Sequence, residues 1–304
     1  MTKVSLRFAG LTQKTIAAYQ RALANFFEYL EAEGYTLPSS SRKLDEILSH
    51  YIEVLYFDDQ PITYAGHLLS GIRRFLPHLR FKLPKAKQWF SNWRAACLPS
   101  PAVPLPASVA LALAGLCLEV GESGLACALL LGFTAFLRTS ELASLRYCDL
   151  SFKPSSDLIV VALSNTKTGK GRAQSVLVRD PFLPYLLWHA QRGGATHLWP
   201  GSTASFRAAF RLLCQRAHLT SYNFTPYSLR RGGASHAFAS GVSFDQLLER
   251  GRWQSVKTAR LYLDTGRAAL ILLRFPPHTL RLIHQLAQRT LTFCEHLRRG
   301  RQAP

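Results

Sequence analysis

The sequence predicts a mainly α-helical protein with one small antiparallel sheet, arranged as two domains. Three observations carry that expectation. Apolar residues recur with a 3.6-residue period through most of the chain, as helices buried on one face require. Only two β-branched runs, 157–163 and 174–179, read as strands, and Gly169 and Gly171 between them supply a hairpin turn. Four prolines (Pro99, Pro101, Pro104 and Pro106) interrupt the helical pattern and favour an extended segment. The 304 residues therefore divide into a helical domain at 1–97, a Pro-rich linker at 98–107 and a second domain at 108–304 with a helical tail.

In order, the first helix starts after Thr12, a natural N-cap, and its apolar face is Ile16, Tyr19, Leu23, Phe26 and Leu30. Gly34 is its stop signal. Further helices are expected at about 44–55, at 63–76 before Pro77, and at 84–96. In the second domain, apolar helices at 107–119 and 123–137 come first, with Arg138 at the end of the second. After the hairpin, a helix at 203–218 places Phe206, Phe210, Leu213 and Ala217 on one face, and helical patterns continue to Arg301.

The chain carries 37 basic against 18 acidic side chains, a formal charge of +19. Such a field attracts polyanions, of which nucleic acid is the commonest in cells. Arginine outnumbers lysine, which suits phosphate recognition, although GC-rich codon usage inflates arginine equally. A membrane partner is not expected, because no basic cluster flanks an apolar span and the longest apolar runs are too short to cross a bilayer. The six cysteines form no C-x-x-C pair, and most lie in apolar, helix-like runs where they read as reduced, buried small hydrophobes. With no secretory h-region, the expected location is intracellular: nuclear in a eukaryotic host, nucleoid or cytoplasm in a prokaryotic one.

Four segments carry chemistry: FLRTSEL (136–142), SNTKTGKGR (164–172), TPYSLRRGGAS (225–235) and GRWQSVKTARLYL (251–263). Together they offer two arginines, a lysine in a Gly turn and a tyrosine on a short basic helix, a set suited to moving a phosphodiester onto a protein hydroxyl. Each residue alone has a plainer reading. Tyr262 and Trp253 fit as core aromatics, Arg138 as a helix C-terminal arginine, and Arg230 as an exposed neighbour of Arg231. Lys167, Lys170 and Arg172 fit a solvated hairpin contacting backbone phosphate. It is their joint order and spacing that favours a site.

These segments resemble the boxes of the tyrosine recombinase (phage integrase) family. FLRTSEL is similar to the first arginine box, TPYSLRRGGAS to the H-x-x-R box, and GRWQSVKTARLYL to the final box, with Trp253 nine residues before Tyr262. The resemblance implies the family's architecture, a helical core-binding domain followed by a catalytic domain, and a site-specific recombinase or integrase. It implies that Tyr262 attacks DNA to give a covalent 3′-phosphotyrosine, and that Arg138 and Arg230 hold the scissile phosphate. Glu141 would orient Arg138, Lys167 would protonate the departing 5′-oxygen, and Trp253 would occupy the His/Trp position. Lys170, Arg172, Arg231, Lys85, Lys87, Arg73 and Arg74 are the expected DNA contacts. Double-stranded DNA, a homo-tetramer on it, and no metal or other cofactor follow from the same resemblance.

The R-R-G-G-A run is similar to versions in eukaryotic mobile elements of the DIRS and Crypton kind. One position departs from the family: the second box opens with Tyr227 where a His is usual, and a neutral phenol is a poor base near pH 7. A catalytically impaired or inactive DNA-binding descendant is therefore the alternative. The apolar face of residues 268–304 suits docking either on a neighbouring subunit or on its own domain.

Overall fold

The computed structural model describes Phe8 and residues 10–97, 102–163 and 173–302. Its contacts divide into two compact units, Met1–Ser100 and Pro101–Pro304.

The first unit consists of helices α1 (Gln13–Ala32), α2 (Ser41–Phe57), α3 (Thr63–Phe75) and α4 (Pro84–Ala96). Thr12 Oγ1 caps α1 by accepting the Thr15 N–H at 3.2 Å. Phe26, Leu30, Leu48, Ile52, Leu68 and Trp93 fill the core. The start of α4 is capped from a distance. Pro84 occupies its first turn without needing a partner, and the buried Asp45 carboxylate on α2 accepts the N–H groups of Lys85 and Ala86, each at 2.9 Å. Asp45→Ala strands both donors, and a loss of about 2 kcal/mol is expected in urea unfolding of the chain. Asp45→Asn, which keeps one acceptor, should lose roughly half as much.

The second unit opens with α5 (Ala107–Glu119), α6 (Ser123–Thr134) and the short α7 (Thr139–Ser144). An antiparallel sheet follows in the order β1 (Leu150–Phe152), β2 (Leu158–Leu163), β3 (Gln174–Arg179). In the β2–β3 ladder Leu158 faces Arg179 and Leu163 faces Gln174, and Ile159, Val161, Val176 and Val178 turn inward. Then come α8 (Leu183–Gln191), α9 (Thr203–Arg216), α10 (Pro226–Ala239), α11 (Phe244–Gly251), α12 (Val256–Arg260), α13 (Thr265–Arg274) and α14 (Pro277–Gln302). Helices α5 and α6 are apolar nearly all round because they lie in the middle of the unit.

One feature of this unit differs from expectation, and another takes one of the two expected forms. The second half of the Pro-rich stretch is a packed part of the unit: Pro104, Leu105 and Pro106 are buried, and the Leu105 N–H donates to the Ser228 carbonyl at 3.0 Å. Helix α14 lies against its own α5, where Thr290 Oγ1 donates to the Leu111 carbonyl at 2.9 Å and Ile283, Leu286 and Cys294 join the core.

Gly232 and Gly233 lie in the middle of α10, where glycine weakens a helix. Neighbouring backbone explains both. A Cβ at Gly232 would run into the main chain of Leu105, and one at Gly233 into the carbonyl of Phe133 at the end of α6. Backbone cannot give way as a flexible side chain does, so Gly233→Ala should destabilise the protein by about 2–3 kcal/mol in the same unfolding measurement.

Candidate active site

The site begins where α6 stops. The apolar pattern suggests a helix to 137, but α6 ends at Thr134, and Phe136 takes a left-handed conformation with φ of 50°. Arg138 is therefore not a helix C-terminal residue; it is extended and leads into α7. Glu141, in the first turn of α7, reaches back to it. One carboxylate oxygen accepts the Arg138 guanidinium at 2.7 Å and the other accepts the Arg138 backbone N–H at 2.8 Å.

Arg230, on α10, is completely buried rather than exposed. Its Nη1 donates to the Phe136 carbonyl and its Nη2 to the Gly251 carbonyl at 2.7 Å. The left-handed turn at Phe136 thus accompanies an anchor for this arginine. The guanidinium lies 5.0 Å from the Trp253 ring centroid and 5.1 Å from that of Tyr262. Burial and the nearby Arg138 lower its pKa, while Tyr262, Glu141 and Tyr227 oppose the change; an arginine keeps its proton under such conditions.

Tyr262 lies in the turn that follows α12, not on the helix, with its N–H bonded to the Ala259 carbonyl at 2.9 Å. Its ring packs 4.6 Å from Trp253 and 5.8 Å from Tyr227, and Trp253 stacks in turn on Phe136 at 6.0 Å. The buried Ser235 hydroxyl holds the main chain on both sides of this tyrosine. It donates to the Tyr262 carbonyl at 3.2 Å and accepts the Asp264 N–H at 2.9 Å. Burial alone would raise the Tyr262 phenol, but a hydrogen bond from Tyr227, the charge of Arg230 and the nearness of the Trp253 N–H outweigh it, and the net shift is downward. Tyr227 shifts the other way, first through burial and then because its proton is engaged with Tyr262.

The structure therefore gathers Arg138, Glu141, Tyr227, Arg230, Trp253 and Tyr262, drawn from separate segments of the second unit, into one cluster. Lys167, Lys170 and Arg172 lie outside the described residues. Arg231 corrects an expectation: it is buried, 4.0 Å from Asp264 Oδ2, and so is not a surface contact. Lys85 and Lys87 on α4, and Arg73 and Arg74 in the last turn of α3, are exposed on the first unit. His236 is exposed and packs its ring 5.7 Å from Phe133.

Sequence reasoning passed over two members, Ser235 and Arg252. Arg252 adopts φ of 55° at the end of α11 and donates from Nη2 to Glu141 at 2.7 Å. Both lie inside the quoted segments 225–235 and 251–263, but at none of the positions to which the motifs assign chemistry.

No family model matches the chain, and no curated protein does. Solved structures do. The Tn1549 transposon integrase (residues 82–397) in complex with circular intermediate DNA superposes with a TM-score of 0.61 at 15% identity, covering 88% of this chain and 95% of that one. A lambda integrase dimer bound to a COC′ core site gives 0.57 at 14% identity, covering 84% and 72%. The XerH site-specific recombinase bound to difH substrate gives 0.56 at 14%, covering 84% and 78%. At these identities the likeness is one of architecture: the chain has the mainly helical fold, with a small antiparallel sheet, of the tyrosine recombinases and integrases.

Proposed function

We propose that this protein cleaves and rejoins double-stranded DNA through a covalent 3′-phosphotyrosine at Tyr262. One observation carries the reading: a tyrosine phenol packed against a fully buried arginine, with a second arginine held nearby by a carboxylate. A phenol of ordinary pKa about 10 is mostly protonated at pH 7 and attacks phosphorus poorly. Here Tyr227, Arg230 and Trp253 favour its charged form. As its oxygen bonds to phosphorus its proton passes to water, the bond from phosphorus to the 5′-oxygen breaks, and that oxygen takes a proton, for which Lys167 is the candidate donor. Arg138 and Arg230 offset the charge that grows on the non-bridging oxygens, which stabilises the transition state more than the ground state. The net charge of +19, and neighbours of this fold solved on DNA, support DNA as the polyanion.

The reading extends to a homo-tetramer on DNA acting as a site-specific recombinase or integrase. The R-R-G-G-A run favours a mobile element of the DIRS or Crypton kind, working in the nucleus of its host. The test is a nicked suicide duplex carrying the element's terminal sequence. A DNA–protein adduct that survives denaturation and maps to the Tyr262 peptide is expected; tight binding without any adduct would leave only a DNA-binding protein.

Tyr227 takes a defined part in this chemistry. Its phenol packs beside that of the nucleophile and favours the charged form there, so Tyr227→Phe should raise the Tyr262 pKa. Because attack needs the phenol to lose its proton, the rising limb of the pH–rate profile then moves to higher pH. At pH 7 the cleavage rate should fall about tenfold, the usual worth of a hydrogen bond to a charged group. Tyr227→His adds a group titrating near pH 6.5, so a new limb should appear there. A Tyr227→Phe profile that overlays the parent would remove Tyr227 from the mechanism.

A further inference from the structure

Arg252 is an expensive residue to keep. Its side chain is only 3% exposed, and among the described residues its Nε and Nη1 are buried without a hydrogen-bond partner. Burial pushes its pKa down to about 10, with Glu141 opposing and with Arg230 and Arg138 adding to the fall. Its backbone is left-handed, a conformation that strains any residue but glycine. Burying an arginine with two idle donors in a strained turn needs a return, and its one charged hydrogen bond is to Glu141.

Glu141 stands between two arginines: one oxygen faces the Arg138 guanidinium, and the other faces Arg252 and the Arg138 backbone N–H. A carboxylate that orients Arg138 also tends to cancel its charge. Paired one to one, they would offer a phosphate no net charge. With Arg252 the bridge holds two cations against one anion, and Arg230 lies close enough to feel both Arg138 and Glu141.

We propose that Arg252 is a positioning residue: it supplies a second counter-charge to Glu141, so that the carboxylate orients Arg138 without neutralising it. It acts through Glu141 and does not touch DNA. The inference rests on the phosphate-binding role given to Arg138 above, and adds a residue whose part is to keep that site cationic.

The test compares the parent, Arg252→Met, Glu141→Gln and the double variant in the full-length chain. Three quantities are measured: adduct formation on the nicked duplex, duplex affinity, and binding of inorganic tungstate as a phosphate-like anion by calorimetry. Arg252→Met should lower the adduct rate about 10- to 100-fold and weaken tungstate at least about tenfold, with duplex affinity within about threefold of the parent. Adding Glu141→Gln restores one net charge and should recover most of both losses. A purely structural role predicts the reverse, a deeper loss in the double variant, and that result would overturn the proposal.

If Arg252→Met does not fold, Glu141→Gln and the double variant decide the matter. In both the carboxylate is gone, so only the direct charge of Arg252 distinguishes them, and the double variant should stay well within about tenfold of Glu141→Gln. A further tenfold loss in the double variant would refute the role. A parent that forms no adduct sinks the cleavage reading alone, because tungstate still reports on Arg252; unchanged tungstate affinity across all four proteins would sink the Arg252 proposal.

Discussion

Tyr262→Phe is expected to bind duplex DNA as tightly as its parent and to form no covalent adduct. The substitution removes one oxygen from a ring that keeps its other contacts: Trp253 at 4.6 Å, Tyr227 at 5.8 Å and the Arg230 guanidinium at 5.1 Å. The ring is only partly buried, and Ser235 holds the main chain around it independently of the hydroxyl. Stability should therefore change by less than about 1 kcal/mol, with the Tyr227 proton losing its acceptor as the main cost. With Tyr262 as the proposed nucleophile, removing the hydroxyl removes the atom that would bond to phosphorus. The measurements are denaturing electrophoresis of the suicide-duplex reaction and a thermal melt. An adduct of undiminished yield in Tyr262→Phe would move the nucleophile elsewhere, with Tyr227 the nearest phenol.

Arg230→Met loses both activity and stability. It leaves the Phe136 and Gly251 carbonyls without their donor and deprives the Trp253 and Tyr262 rings of the cation beside them. Breaking such an arrangement typically costs about 3–5 kcal/mol, several degrees in the melt of a domain this size. The adduct rate should fall by about 10² to 10³, as when one charge-stabilising donor is removed from a hydrolase. Arg230→Lys separates the two effects. A lysine keeps the charge but cannot serve two carbonyls set by a planar fork, so it should recover part of the stability and little of the rate. A fully active Arg230→Lys would mean that charge alone, without geometry, is sufficient.

How much of this was legible in one sequence depended on whether local chemistry or tertiary packing decided each feature. Helix α4 was readable to the residue because Pro84 opens it. The hairpin strands β2 and β3 were readable because each is a β-branched run beside a Gly-containing turn segment. Strand β1 has three residues, too few for a period, and α8 is a short apolar run whose start, where Asp180 accepts the Phe182 and Leu183 N–H groups, lies between Pro181 and Pro184 and reads as a loop. The break after Thr134 was invisible because the glycine of ALLLGFTAFL, Gly132, lies inside α6 and not at its end; the left-handed Phe136 makes sense only with Arg230, 94 residues away, bonded to its carbonyl. The same distance effect hid the burial of Arg230 and Arg231, which adjacent charges suggest are on the surface. Arg138, Glu141 and Tyr262 were found because motif spacing preserves them, whereas Arg252 and Ser235 gain their roles from partners that spacing does not encode.

The anchorage of Arg230 has a consequence for how such a chain can diverge. Its two acceptors are main-chain oxygens, which every amino acid supplies, so no exchange of side chain at position 136 can delete that partner. Position 251 is restricted for another reason, because a Cβ there would meet the Trp253 indole. Selection on this cradle therefore acts on the path of the backbone more than on residue identity. Lineages can exchange much of the surrounding sequence and still inherit the same grip on one arginine.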